Sequence, residues 1–112
     1  MTKRLAIIPA RGGSKRIKNK NLKNFFGKPL IYYPIYAAQK SKIFDKIHVS
    51  SDSIKILKYS KKLKINSDFK RPSKLANDKV GLKKVLKYVI ESYSRIGLEF
   101  DEVWLLFASN PF

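Results

Sequence analysis

The sequence predicts an α/β fold built on a mostly parallel sheet. Leu5–Ile8 and Val103–Ala108 are short, uniformly apolar runs, the signature of strands buried on both faces. Between them strand-like and helix-like segments alternate, the order that right-handed parallel crossovers require. A glycine-rich basic loop follows the first run directly, which puts a ligand-binding loop at the carboxyl end of a strand.

The first strand, Leu5–Ile8, ends about Pro9, which has no N–H for a ladder. Residues 10–28 read as one long polar loop, and loops of that length in compact domains are usually functional. Pro29 opens a helix through about Gln39, with Ile31, Ile35 and Ala38 on one face. Pro34 is tolerated only near a first turn, which would move the start later. Lys46–Ser50 is a second strand, and His48, between Ile47 and Val49, reads as a packed or hydrogen-bonded residue rather than a catalyst. Ser51-Asp52-Ser53 caps a second helix containing Ile54, Leu57 and Leu63. Lys64–Phe69 is a candidate short strand, and residues 70–79 form a second polar loop. Val80–Ile96 is an amphipathic helix: Leu82, Val85, Leu86, Val89, Ile90, Tyr93 and Ile96 keep helical spacing, and Gly97 stops it. Val103–Ala108 is the last strand, again expected to be buried.

With 112 residues the chain holds one domain at most. It has no cysteine, which excludes disulfides and thiolate metal sites and suits a reducing compartment. No apolar run approaches the length of a membrane span, and the start is too short for a signal-peptide core. The net charge is +17, from 25 Lys and Arg against 8 Asp and Glu. Such a field attracts polyanions, but the lysines are scattered from Lys3 to Lys87, so most of the charge reads as solvated background.

Residues 9–21 are the most informative stretch. Gly12 and Gly13 lack Cβ, so their amides can approach a ligand closely, and consecutive N–H groups in a tight loop form an anion-binding nest. Arg11, Lys15 and Lys20 can neutralise the anion through charge-assisted hydrogen bonds. The loop matches neither the P-loop nor the dinucleotide fingerprint. Generic physics therefore leaves two readings, a phosphate cradle and a basic solvated turn.

The spelling Arg11-Gly12-Gly13-Ser14-Lys15, followed by Lys20-Asn21, resembles the opening signature of the acylneuraminate cytidylyltransferases, the CMP-sialic acid synthetases and their pseudaminic and legionaminic acid relatives. Further pieces resemble the same family in the same order: Gly27-Lys28-Pro29-Leu30-Ile31 with Tyr33, then Val49-Ser50-Ser51-Asp52, then Arg71-Pro72 with Leu75-Ala76-Asn77-Asp78. The resemblance implies a Rossmann-like three-layer nucleotidyltransferase fold. It implies transfer of CMP from CTP to a nine-carbon α-keto acid sugar, with release of pyrophosphate.

By that resemblance Arg11, Gly12, Gly13, Ser14, Lys15 and Lys20 hold the phosphates of CTP, with Arg11 and Lys20 as the catalytic cations. The Ala10 backbone, Asn21 and Arg71 recognise cytidine. Asp52 either hydrogen-bonds near the nucleotide or caps the following helix. Arg71 is either a base reader or a solvated loop arginine, and the neighbouring Pro72 and Leu75–Asp78 favour the former. After Asp78, Lys79, Val80 and Gly81 stand where the family places small hydroxyl residues, with Leu82 following. Phe107-Ala108-Ser109-Asn110-Pro111-Phe112, with Lys15-Arg16-Ile17, looks more like the pseudaminic acid branch.

The family's single domain is roughly twice this length, so residues 1–112 are expected to be its N-terminal nucleotide-binding part, a fragment. The Mg²⁺ ligands, much of the sugar site and the homodimer contacts are then expected beyond it, with no metal site within this chain. Alone, the fragment is expected to be inactive and to expose apolar sheet surface. The resemblance also implies a cytoplasmic enzyme with no membrane or nucleic-acid partner. Two competing readings stand beside it. One is a related nucleotidyltransferase with another base or sugar. The other is a basic nucleic-acid-binding module that uses Phe25, Phe26, Tyr32, Tyr33 and Tyr36 as stacking platforms.

Overall fold

A computed structural model describes residues 2–10, 20–75 and 81–107. The strands are β1 (Arg4–Pro9), β2 (Asn24–Phe25), β3 (Lys28–Pro29), β4 (Lys46–Ser50) and β5 (Glu102–Leu105). The helices are α1 (Tyr32–Ser41), α2 (Ile54–Lys62) and α3 (Leu82–Arg95), with 3₁₀ turns at Lys20–Leu22 and Ser73–Leu75. The main sheet has the order β4-β1-β5, and both pairings are parallel.

β1 is the central strand, and its uniform hydrophobicity is explained by a core on each face. Ile8 and Ala10 pack with Val49, with Ile31 and Ile35 from the α1 segment, and with Ile56 of α2. Leu5 and Ile7 point the other way, against Val89 and Tyr93 of α3. The result is three layers, as expected. The chain leaves β1 towards β4 through α1, and later passes from β4 to β5 on the far side of β1 through α3. β1 and β5 therefore flank a topological switch point, where doubly wound sheets bind ligands.

The expected loop 10–28 carries more structure than its polarity suggests. β2 and β3 form an antiparallel hairpin. Phe26 and Gly27 link them with positive φ at both positions, as a type I′ turn requires. Pro29 does not open α1. It ends β3 opposite Asn24, so the helix starts three residues later and Pro34 falls within its first turn, where no intrahelical N–H is needed. The end also moves, from about Gln39 to Ser41, where Lys42 closes the helix in the left-handed region.

Lys64–Phe69 is not a strand. Its Ser67 hydroxyl instead accepts from the Val49 N–H at 3.1 Å and donates to the Val49 carbonyl at 2.9 Å. A side chain thus satisfies the β4 edge in place of a ladder. The α2 cap is Ser53, whose Oγ accepts from the Ile56 N–H; Asp52 is not the capping residue. Ser51 steadies the cap by accepting from the Ser53 N–H.

The end of α3 follows the sequence closely. Gly97 has φ +86°, its N–H donates to the Ser94 carbonyl, and the Leu98 N–H donates to the Tyr93 carbonyl. That pair of bonds is a Schellman motif, and Leu98 joins the Tyr93 cluster. The apolar stripe of α3 is wider than what it buries. Val85, Val89 and Tyr93 are inside, whereas Leu82, Ile90 and Ile96 are exposed. Val80 lies outside the described residues.

β5 departs most from expectation. It is an edge strand, with Val103 and Trp104 about two-fifths exposed and Phe107 exposed by 55%. An apolar run reports affinity for a core, not that a core covers both sides of it. The exposed apolar sheet surface expected of this chain is accordingly present here.

Candidate nucleotide site

The carboxyl ends of β1 and β4 are tied together beyond the sheet proper. The Ala10 N–H donates to the Ser50 carbonyl at 2.9 Å, adding a rung past β1. Ala10, Ser50 and Ser51 are all buried. The next chain segment passes over this rim, where the Arg71 N–H donates to the Ser51 carbonyl at 2.8 Å.

Arg71 is not a solvated loop arginine. It is 5% exposed, and a buried guanidinium needs acceptors. Its Nε donates to Ser50 Oγ at 3.1 Å and its Nη2 to the Ser50 carbonyl at 3.0 Å. Nη1 points to the Leu75 carbonyl at 3.4 Å. Two oxygens of one residue hold one edge of the planar fork, which fixes its orientation as well as its charge. Ser50 went unassigned in the sequence. It stands in the Val49-Ser50-Ser51-Asp52 motif of the resemblance, but a serine pair at the end of a strand signals a turn as readily as a clamp.

Asn21 is buried at the foot of the 3₁₀ turn, and its carbonyl accepts from the Ile31 N–H at 2.9 Å. It is thereby fixed to the segment that packs with Ile8 and Ala10. Asp52 is half-buried directly after Ser51. For Lys20 the structure describes the backbone, which opens the 3₁₀ turn. Arg11, Gly12, Gly13, Ser14 and Lys15 lie outside the described residues, as do Ala76–Lys79 and Ala108–Phe112. The rim thus joins Ala10, Ser50, Ser51 and Arg71 by hydrogen bonds, with Asn21 held in the adjoining layer.

Negative charge is drawn to the opposite end of the sheet. Asp101 accepts from the Lys3 N–H and Asp45 from the Arg4 N–H, each at 2.7 Å. Glu102 accepts from Arg4 Nε at 2.9 Å. These carboxylates cap the start of β1, far from the loop that leaves its carboxyl end. These three carboxylates add little repulsion to an anion at the rim, where Asp52 is the acidic neighbour.

The aromatic residues of the competing reading pack largely on one another. Tyr32 stacks on Tyr36 with ring centroids 5.6 Å apart, and Tyr33 meets both Tyr32 and Phe25 edge-on. The Tyr33 hydroxyl donates to the Phe25 carbonyl, fastening the hairpin to α1. Among the described residues no group of three or more His, Asp and Glu gathers to hold a metal ion, and no helix is long and apolar enough to cross a membrane.

A parallel sheet with a packed core on each face of its central strand and a switch point beside that strand defines the doubly wound α/β class. Within that class the chain belongs to the cytidylyltransferase family, whose model matches residues 5–96. It is 41% identical over 109 residues to a pseudaminic acid cytidylyltransferase of Campylobacter jejuni, covering 97% of this chain and 47% of that protein. It is 40% identical over 112 residues to a CMP-N,N'-diacetyllegionaminic acid synthase of the same species, covering 99% and 48%. An N-acylneuraminate cytidylyltransferase of Escherichia coli is 37% identical over 112 residues, covering 99% and 25%. The chain therefore spans at most about half the length of these curated relatives. The fold also matches a solved CMP:2-keto-3-deoxy-manno-octonic acid synthetase complexed with CTP, with a TM-score of 0.76 at 22% identity, over 98% of this chain and 42% of that one.

Proposed function

We propose that this chain is the nucleotide-binding part of a cytidylyltransferase that moves CMP from CTP to a nine-carbon α-keto acid sugar. The observation that carries the reading is the family match across residues 5–96, which includes the glycine-rich loop and Arg71. In the reaction a sugar hydroxyl oxygen forms a bond to the α-phosphorus. The bond from that phosphorus to the bridging oxygen of pyrophosphate breaks. The chemical problem is crowding of negative charge, so positioning and neutralisation dominate.

On this reading Arg11, Gly12, Gly13, Ser14, Lys15 and Lys20 cradle the triphosphate, with Arg11 and Lys20 facing the charge that develops on transfer. The Ala10 backbone, Asn21, Asp52 and Arg71 face the nucleoside. The Ala10 N–H is already committed to Ser50, so a contact from Ala10 would use its carbonyl. Mg²⁺ accompanies the reading by resemblance, but the described carboxylates do not form a site for it, and no step here passes through it. The sugar class, with the pseudaminic branch favoured by the spelling of residues 107–112, belongs to the proposal, as do a homodimer and a cytoplasmic location.

Titrating the chain with CTP, UTP and ATP at fixed ionic strength tests the reading. Tighter binding of CTP than of the other two is expected. Equal affinities would reduce the interaction to the attraction of a +17 chain for any polyphosphate. Tighter binding of UTP would end the cytidylyl assignment.

A further inference from the structure

We propose that Ser50 is a specificity-determining positioning residue, setting the plane of the Arg71 guanidinium and linking it to the exit of β1. The inference rests on the reading above, in which Arg71 faces the base.

Three observations combine in it. Ser50 is 1% exposed, and its polar atoms are spent on neighbouring protein groups. Both of its oxygens are turned to Arg71, Oγ to Nε at 3.1 Å and the carbonyl to Nη2 at 3.0 Å. Nε and Nη2 share one edge of the guanidinium, so this side-on pair removes rotation about the long side chain's last torsions. The same carbonyl also accepts from the Ala10 N–H at 2.9 Å. One residue therefore registers the arginine against the backbone that leads into residues 11–19.

A base is told apart by the direction of its donors and acceptors. Selectivity between cytosine and uracil, which differ in one exocyclic group and one ring proton, needs a donor plane held in place. Overall attraction for a nucleotide does not. Ser50→Ala keeps the carbonyl and the Arg71 charge but removes the Nε acceptor. The Nη2 bond to the Ser50 carbonyl and the Nη1 contact with the Leu75 carbonyl stay, but the guanidinium loses the side-on pair that sets its plane, and the loss should fall on base choice more than on phosphate binding.

The test is calorimetric titration of the chain and of its Ser50→Ala and Ser50→Thr variants with CTP and UTP, alongside NMR of the Arg71 Nε–H. Loss of one hydrogen bond to a charged donor predicts that the CTP preference over UTP falls roughly ten-fold in Ser50→Ala. Ser50→Thr, which keeps the oxygen, retains it. The Arg71 Nε–H should exchange slowly in the parent and rapidly in Ser50→Ala. An unchanged CTP-to-UTP ratio in Ser50→Ala overturns the inference, as does fast Nε–H exchange in the parent, a measurement that needs no variant to fold. If the parent shows no CTP preference while its Nε–H is protected, the cytidylyl reading has failed, and the inference that rests on it fails too.

Discussion

The Tyr93 hydroxyl oxygen lies 2.7 Å from Nδ1 of His48, across the α3 face of the sheet. Phe69 packs against both rings. Burial keeps the Tyr93 phenol protonated, helped by the Asp68 carboxylate beside it. Burial works to raise Asp68, but hydrogen bonds from Lys46 and Tyr93 outweigh it and hold that carboxyl below its ordinary value. One assignment of protons satisfies the whole chain: His48 Nδ1–H donates to Tyr93, Tyr93 donates to Asp68, and Lys46 Nζ, at 2.7 Å, holds Asp68.

His48 makes the acid stability of this chain predictable. Burial is the main cause that lowers its pKa from 6.5 to about 4, with Asp68 opposing and Lys46 and Arg71 adding to the shift. The folded state therefore holds it neutral while the unfolded chain takes up a proton. Its effect is absent above pH 6.5, and stability falls as the pH drops from 6.5 towards 4. At about 1.4 kcal/mol per pKa unit the loss is roughly 3 kcal/mol. Urea midpoints measured across this window should fall steeply for the parent and less for His48→Gln. Parallel curves would disprove the assignment.

Ser67→Ala removes both partners of the Val49 backbone at the β4 edge. A cost of about 1–2 kcal/mol is expected. The local readout is more specific: the Val49 amide should exchange with solvent faster than its neighbours in β4. Unaltered Val49 protection would mean that the hydroxyl is incidental.

Gly97→Ala tests the α3 stop. A Cβ there meets nothing within 4 Å, so the cost is conformational and comes from φ +86°. About 1 kcal/mol of lost stability is expected, with the helix otherwise intact. A loss several-fold larger in thermal melts would point to a clash and so to a different local geometry.

The β5 edge should make the chain self-associate. Val103 and Phe107 are exposed beside a strand edge that pairs with no other strand among the described residues, and a lysine on such an edge opposes pairing. Light scattering across a concentration series should show association of the parent. It should show less for Val103→Lys and for Phe107→Lys. A parent that stays monomeric throughout would refute the expectation.

The strands and helices were legible in the sequence because their signals are local. β4 was read with its exact limits, and α3 ends where Gly97 said it would. The hairpin at residues 24–29 was missed because two-residue strands leave no period to count. Lys64–Phe69 looked like a strand because edge-facing segments share a strand's composition. The candidate site was chosen from residue types and spelling, with Arg71 among its members. That Arg71 is buried and clamped by Ser50 could not be read, since the two stand 21 positions apart.

The sequence by itself determined the alternation of elements, the glycine-rich loop after β1 and the family resemblance, all carried by spacing within short windows. The tertiary structure decided that β1 is central and β5 an edge, which part of the α3 stripe is buried, and that one serine carbonyl serves both Ala10 and Arg71. These depend on which segments come to lie side by side. Pairing and burial are properties of neighbours distant along the chain, and no local pattern encodes them.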